Sequence, residues 1–313
     1  MIKKFSKIIP LFFLVGCFNV EDKLDTKISY VIQDTHIKQL SSAFPPLTEK
    51  EKETNWGKEM FLAKSFAKDL DLYRAITTYK RSLYMIDNEN TFRRNEIEYD
   101  ILLCYFFGKK YNHVIDHFEN TDLCSVDKSF PSYSDLLTIL FESYKRENDE
   151  EKAEKVIFLL NQTYPIKADR LALSSSLLEA NLNKISDFKN PSRKWVGNML
   201  SSYETGKKSI KKAQVLNAVF PGAGYFYLGQ KKSAVTALLI NSLFIAATYQ
   251  FFHKHYYPAA IIATSFEMGW YFGGIYGAGE EAKFYNERLY ESLSVSLMKE
   301  NKLYPQLMLK YSF

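Results

Sequence analysis

Histidine, glycine and proline are scarce in this chain, and so is any motif that would carry chemistry. Five histidines stand among 313 residues. His113 and His117 are four apart, and His253 and His255 flank Lys254, but a pair falls short of the ligand set of a zinc site. No metal or cofactor is expected. Gly222-Ala223-Gly224 leads into Tyr-Phe-Tyr-Leu-Gly, too apolar a setting for a phosphate cradle. No serine is marked as a nucleophile, and no acid, base and nucleophile converge. An enzyme is therefore not expected. With 13 glycines and 9 prolines, the elements should be long. Excess charge is missing too. The net charge is +5, with lysine and glutamate interleaved, which describes a solvated helical surface and excludes a nucleic-acid footprint.

What is present is repetition. Phe66, Tyr105 and Tyr144 stand 39 residues apart, and the same offset carries Ala75 onto Val114 and Ala153. It also carries Tyr79 onto Phe118 and Ile157, and Leu62 onto Ile101 and Leu140. An aromatic near the end of one helix, with a small residue early on the next, lets two antiparallel helices approach closely. Such a pair must stack on a neighbour to bury its apolar face, so a fixed period predicts a helical solenoid.

The spacing resembles the tetratricopeptide repeat. Ala63, Phe66, Ala75, Tyr79 and Ser82 match its motif in the first copy, and Tyr144, Ala153 and Pro165 in the third. The family period is about 34, so each junction here carries a few extra residues. The resemblance implies a concave face built from the first helix of each pair. It places Glu96, Tyr99, Leu103, Phe106 and Phe107 on that face as an apolar, largely aromatic floor, the other reading being that these aromatics pack against the longer junctions. Lys64 and Lys68 flank it in the first copy, and Lys145 and Arg146 in the third. A protein or peptide with apolar anchors and acidic flanks is the implied partner. In this register Cys104 and Cys124 are offset along the helix axes by about 15 Å. A disulfide tolerates only about 7 Å between Cα atoms, so both are expected to be buried free thiols.

Residues 1–17 have the pattern of an export signal. Lys3, Lys4 and Lys7 precede an apolar run, Ile8 to Gly16, too short to span a bilayer. It ends Leu14-Val15-Gly16-Cys17, which resembles the lipobox of bacterial lipoproteins and implies lipidation of Cys17. An ordinary cleaved signal and an uncleaved anchor are the other readings of the run. Residues 18–47 are expected to be a tether, and Thr48 with Glu51 a capping box that starts the first repeat helix. The repeats and a terminal cap helix occupy 48–186, and a basic linker helix 187–212.

A second module follows at 213–279, with a polar helix and tail at 280–313. Ser233 to Phe252 is twenty residues without a charge, and Pro258 to Gly279 twenty-two with one, Glu267. Together they predict a transmembrane hairpin, a buried apolar helix pair being the other reading. Pro221, Gly222, Gly224 and Gly229 ahead of it resemble the opening of small two-helix bacterial membrane domains. Gly269, Gly273 and Gly277 form a strip suited to close helix approach, opposite a small row of Ser233, Ala237 and Asn241. Glu267 lies about 200° around the helix from Gly269. It is either a functional intramembrane acid or a packing residue.

The fold expected is thus mostly α: a tetratricopeptide-like solenoid, then a transmembrane hairpin. The function expected is a scaffold at the bacterial cell membrane, lipid-anchored and integral, with the repeats on the outer side and membrane lipid as a second partner. The alternative is a membrane component whose hairpin forms a homo-oligomer or assists lipid or polypeptide movement. Sidedness is in conflict, because Lys207 to Lys212 and Lys231-Lys232 belong inside by the positive-inside rule.

Overall fold

Helices make up most of the computed structural model, which describes residues 20–28 and 34–313. No strand occurs among the described residues, apart from an isolated bridge between Ser42 and Ser312. The helices are α1 (Asp34–Gln39), α2 (Glu49–Glu53), α3 (Asn55–Lys68), α4 (Leu72–Met85), α5 (Thr91–Phe107), α6 (Tyr111–Glu119), α7 (Tyr133–Arg146) and α8 (Glu150–Thr163). They continue with α9 (Pro165–Leu178), α10 (Leu182–Asp187), α11 (Lys194–Gly206), α12 (Ile210–Val219), α13 (Ala223–Tyr227), α14 (Lys231–His253) and α15 (Tyr257–Glu300). The chain divides into two units. One comprises residues 28–196 with Val295–Phe313, the other residues before 28 with Gly197–Ser294.

In the first unit, α3 to α10 are four helix pairs, and each helix packs on the next. All four pairs turn in the same way. Leu70, Lys109, Asn148 and Ala180 adopt positive φ between 51° and 64°. The next amide then donates to a carbonyl five residues back, as Asp71 to Phe66, Lys110 to Tyr105, Asp149 to Tyr144 and Asn181 to Ser176. A left-handed residue followed by a polar cap ends one helix and starts another within two residues. Asp71, Asp149 and Asn181 cap by side chain, accepting from the backbone three residues on. Ala75, Val114, Ala153 and Ile185 follow each turn and are all buried. The first three turns repeat at 39 residues and the fourth at 32. The expected single cap helix is therefore a fourth pair, α9 and α10.

Thr48 and Glu51 form the expected capping box, with Thr48 N donating to Glu51 Oε2 at 2.7 Å. It starts the short α2, however. The first repeat helix, α3, has its own cap in Thr54, whose Oγ1 accepts from Gly57 N at 3.0 Å. Cys104 is buried as expected, but Cys124 is exposed, because it lies in a 3-10 turn, Asp122–Ser125, and not on a helix.

In the second unit, Ala213, Leu228, Ala278 and Ala282 form a small core with Ile210 and Val20. Residues 20–27 of the segment expected to be a tether are docked here along α15. Asp25 N donates to Glu287 at 3.0 Å, Lys27 N to Glu291 at 2.8 Å, and Lys283 pairs with Asp25 at 2.6 Å. The basic linker breaks at Lys207-Lys208, between α11 and α12. There the ammonium of Lys208 lies 5.0 Å, and that of Lys212 4.9 Å, from the Tyr227 ring centre. No break marks the expected boundary at 279/280, since α15 runs unbroken for 44 residues. By length and composition α14 is the one helix, among the described residues, that passes as membrane-spanning. The apolar half of α15 falls short because Glu267, Pro258, Tyr271 and Tyr276 dilute it.

Candidate functional site

The predicted peptide floor is not open. Tyr99, Leu103 and Phe106 are fully buried, and so is Glu96. Two segments of the same chain cover the region. The first is Ser41 to Leu47, whose Phe44 ring packs 5.9 Å from Tyr99 and 5.5 Å from Phe130. The second is the stretch after α15, whose Phe313 ring lies 5.8 Å from Phe107. The two touch where Ser312 N donates to Ser41 O at 3.0 Å. Extended apolar chain has replaced solvent over the floor, so these aromatics are core.

The charged residues explain how the covering segments are held. Arg93 donates to Pro45 O at 2.9 Å and Pro46 O at 3.1 Å, and pairs with Glu51 at 2.8 Å and Glu96 at 2.5 Å. The two prolines leave those carbonyls outside any helix, and the planar guanidinium reaches both. Its hydrogen bonds hold the Glu51 carboxyl down at about 2. Asp135, wholly buried, pairs with Lys167 at 2.6 Å. Its other oxygen accepts two successive backbone amides, Lys310 at 2.8 Å and Tyr311 at 3.0 Å. Arg170 binds the carbonyls of Asn301 and Lys302, each at 3.0 Å.

The predicted cations are placed accordingly. Lys64 is bound to Glu96 and lies 3.9 Å from Asp100, so it serves the core. Burial, opposed by Lys64, pushes the Asp100 carboxyl up to about 7. Lys145 pairs with Glu150 at 2.8 Å and Glu179 at 2.5 Å, and Arg146 with Glu142 at 2.7 Å. Among the described residues, Lys68 alone of the four forms no ion pair. It lines a cleft of about 540 Å³ with Phe61, Leu47 and Phe313.

Phe44, Asp135, Lys167 and Phe313 were not picked out from sequence. The alternation Leu307, Leu309, Tyr311, Phe313 pointed to an apolar terminus, but Leu307 lies in a 3-10 turn and residues of both parities are buried.

In the other unit the glycines divide by role. Gly222 has φ +94°, and a Cβ there would strike the carbonyl of Ala234; its N–H donates to Asn217 Oδ1 at 2.9 Å. Gly224 sits against Ala213, Asn217 and Ala278, and Gly229 has φ +79°. Pro221 and these glycines fold α12 and α13 back within a few residues, and neither helix is long enough to cross a bilayer. A Cβ at Gly277 would stand only 2.5 Å from the Tyr225 hydroxyl. Gly269 and Gly273, by contrast, have open space where a Cβ would stand. The strip therefore does not bring α14 and α15 into close approach. The contacts that α15 makes along this stretch go partly to α12, through Gly274 with Asn217 and Gly279 with Gln214. Between α14 and α15 lies a groove of about 860 Å³. Glu267 is half-buried outside its lining, with Oε2 shielded and without a hydrogen-bond partner among the described residues. Cys17 lies outside the described residues.

The chain matches no protein-family model, no curated protein and no solved structure.

Proposed function

We propose that this protein is a membrane-attached adaptor whose tetratricopeptide-like helix pairs hold a segment of another protein. The observation that carries this reading is the cleft beside Lys68. It combines the unpaired cation of the predicted set with an exposed ring, Phe61, at 61 % accessibility. The same helix pairs already hold extended chain through Asp135, Arg93 and Arg170. The partner is an extended segment carrying an aromatic or aliphatic anchor for Phe61 and an acidic group for Lys68. Attachment is by α14, with the apolar half of α15 as the return limb of the hairpin, and by a lipid on Cys17. Val20, three residues on from Cys17 in sequence, belongs to the small core with Ala278. The repeats lie on the outer side, as export would place them. A photo-crosslinker at Phe61 in cells should trap a partner, and Lys68→Glu should remove the adduct. Equal trapping at Tyr84, on exposed helix surface, or none at Phe61, rejects the adaptor.

A second reading has one observation in its favour. Glu267 Oε2 and Asn241 Oδ1 are both shielded and unpartnered on the two limbs of the hairpin. Polar atoms left unpaired among apolar helices point to a membrane component that binds or moves something itself.

A further inference from the structure

Lys167 and Arg170 stand three residues apart on α9, neighbours on one helix face, and both are tied to the stretch after α15. Arg170 Nη2 donates to the carbonyls of Asn301 and Lys302, each at 3.0 Å. Lys167 pairs with Asp135 at 2.6 Å, and the other Asp135 oxygen accepts from Lys310 N at 2.8 Å. These bonds gather Lys167, Arg170, Lys302 and Lys310 around one cleft of about 490 Å³. Among the described residues, no carboxylate lines the cleft and no ion pair neutralises Arg170, Lys302 or Lys310. Asp135 is wholly buried and offsets Lys167 alone. Burial holds the Lys167 ammonium below its ordinary range; Asp135 opposes the fall, and Lys310 and Arg170 add to it. The cations therefore repel one another at short range, and an anion in the cleft would relieve that repulsion.

The rest of the lining is mostly apolar. Ala168 and Leu171 carry the buried face of α9. Ile166 comes two residues before Ala168, about 200° around the helix, and is 78 % exposed. Leu307 is half-buried in the 3-10 turn Pro305–Met308. Met308 and Leu309 border the cleft although they are themselves buried. A bilayer meets side chains that protrude, whereas a recess of this kind admits a single chain. Lys302 and Lys310 are exposed and free to close on a charged ligand. Of the five N–H groups of Arg170, Nη2 has spent two, which leaves three for a carboxylate.

We propose that this cleft binds an acidic peptide segment of a partner protein, with an aliphatic side chain seated against Ile166 and Leu307. Its carboxylates meet Arg170, Lys302 and Lys310. Charge complementarity selects the acidic partner and the apolar wall selects the aliphatic anchor. The volume lies in the usual range of ligand sites, roughly 300–1,000 Å³. This site is separate from the cleft beside Lys68 and does not depend on it.

The test uses the full chain in detergent, with a benzophenone amino acid in place of Ile166. The probe is a fluorescent decapeptide of alternating glutamate and leucine. Irradiation should attach it to the chain. Peptides with lysine for glutamate, or glycine for leucine, should attach at least tenfold less. Lys302→Glu with Lys310→Glu should reduce attachment at least tenfold at an unchanged melting temperature, because both side chains are exposed and unpaired. Lys50→Glu with Lys68→Glu alters net charge equally and should leave attachment intact. Attachment that survives the first pair, or falls as far with the second, overturns the proposal, as does equal attachment of the lysine peptide. In vesicles containing an anionic glycerol-headed lipid the peptide adduct should persist. A lipid adduct in its place assigns the cleft to the membrane and overturns the proposal. The two sites fail separately. Trapping at Phe61 without peptide at Ile166 defeats this site alone, and peptide at Ile166 without trapping at Phe61 defeats only the cleft beside Lys68.

Discussion

The two units of this chain treat apolar surface in opposite ways. In the unit of helix pairs, Tyr99, Leu103 and Phe106 are buried, with Phe44 packed on Tyr99 and Phe313 on the neighbouring Phe107. Its buried charges are tied into networks, Arg93 with Glu51 and Glu96, Asp135 with Lys167. In the other unit, Leu239, Leu243, Ile245, Ile261 and Ile262 are all more than half exposed. An aqueous solvent drives the first arrangement, because apolar area left in water costs about 25 cal/mol per Å². The second leaves apolar side chains uncovered in the chain alone, as a surface does that meets a membrane, a partner or a ligand. The contrast shows that a row of hydrophobic residues carries no fixed meaning until its solvent is known.

The largest effect expected tests the sealed side. Tyr99→Ala with Phe106→Ala should unfold the repeat unit, since truncating a buried aromatic costs about 3–5 kcal/mol. Thermal denaturation followed by circular dichroism checks this. A change of a few tenths of a kcal/mol would restore the open floor. Asp135→Ala should cost about 3–5 kcal/mol by stranding Lys167. It should also raise hydrogen exchange at Lys310 and Tyr311 above that of α7, and equal protection of those amides would show that other contacts hold the segment.

Glycine substitution sharpens the same contrast inside the second unit. Gly222→Ala meets both a positive φ and a carbonyl, so it should cost at least about 1 kcal/mol. Gly273→Ala should be near neutral, because its Cβ enters open space. Equal loss at the two sites, measured by thermal unfolding in detergent, would mean that the groove is closed in solution.

The pH response separates two acids of the repeat unit. Asp100 is raised to about 7 when folded, from an ordinary 3.8. Its contribution is fully present below 3.8 and is lost as pH rises to about 7. Asp100→Asn should therefore gain melting temperature over wild type at pH 8, with the gain shrinking toward pH 4. Glu51 is lowered to about 2 from 4.5, so its contribution is present above 4.5 and fades as pH falls toward 2. Glu51→Gln should lose most at pH 7 and least at pH 2. A pH-independent difference in either variant would show that its carboxyl titrates normally. The smallest effect concerns thiols: maleimide should label Cys124 without denaturant and spare Cys104, with no change in melting temperature. Labelling of both would mean that α5 is not sealed.

Local order along the chain was legible in the residues themselves. The 39-residue period of Phe66, Tyr105 and Tyr144 reappears as three turns with the same left-handed residue and the same backbone bond, because ending a helix is a local demand. The capping box at Thr48 and Glu51 and the long apolar α14 follow from the same short-range rules. Tertiary structure decided what covers what. Phe44 and Phe313 reach the repeats from more than 50 and 200 residues away from Tyr99 and Phe107 in sequence, and no spacing rule connects them. The strip of Gly269, Gly273 and Gly277 likewise reads as one motif. Only the placement of Tyr225 against Gly277 separates a packed glycine from two that border a groove. Periodicity is set by backbone geometry within one element, whereas partner choice depends on which apolar faces meet after every element has formed.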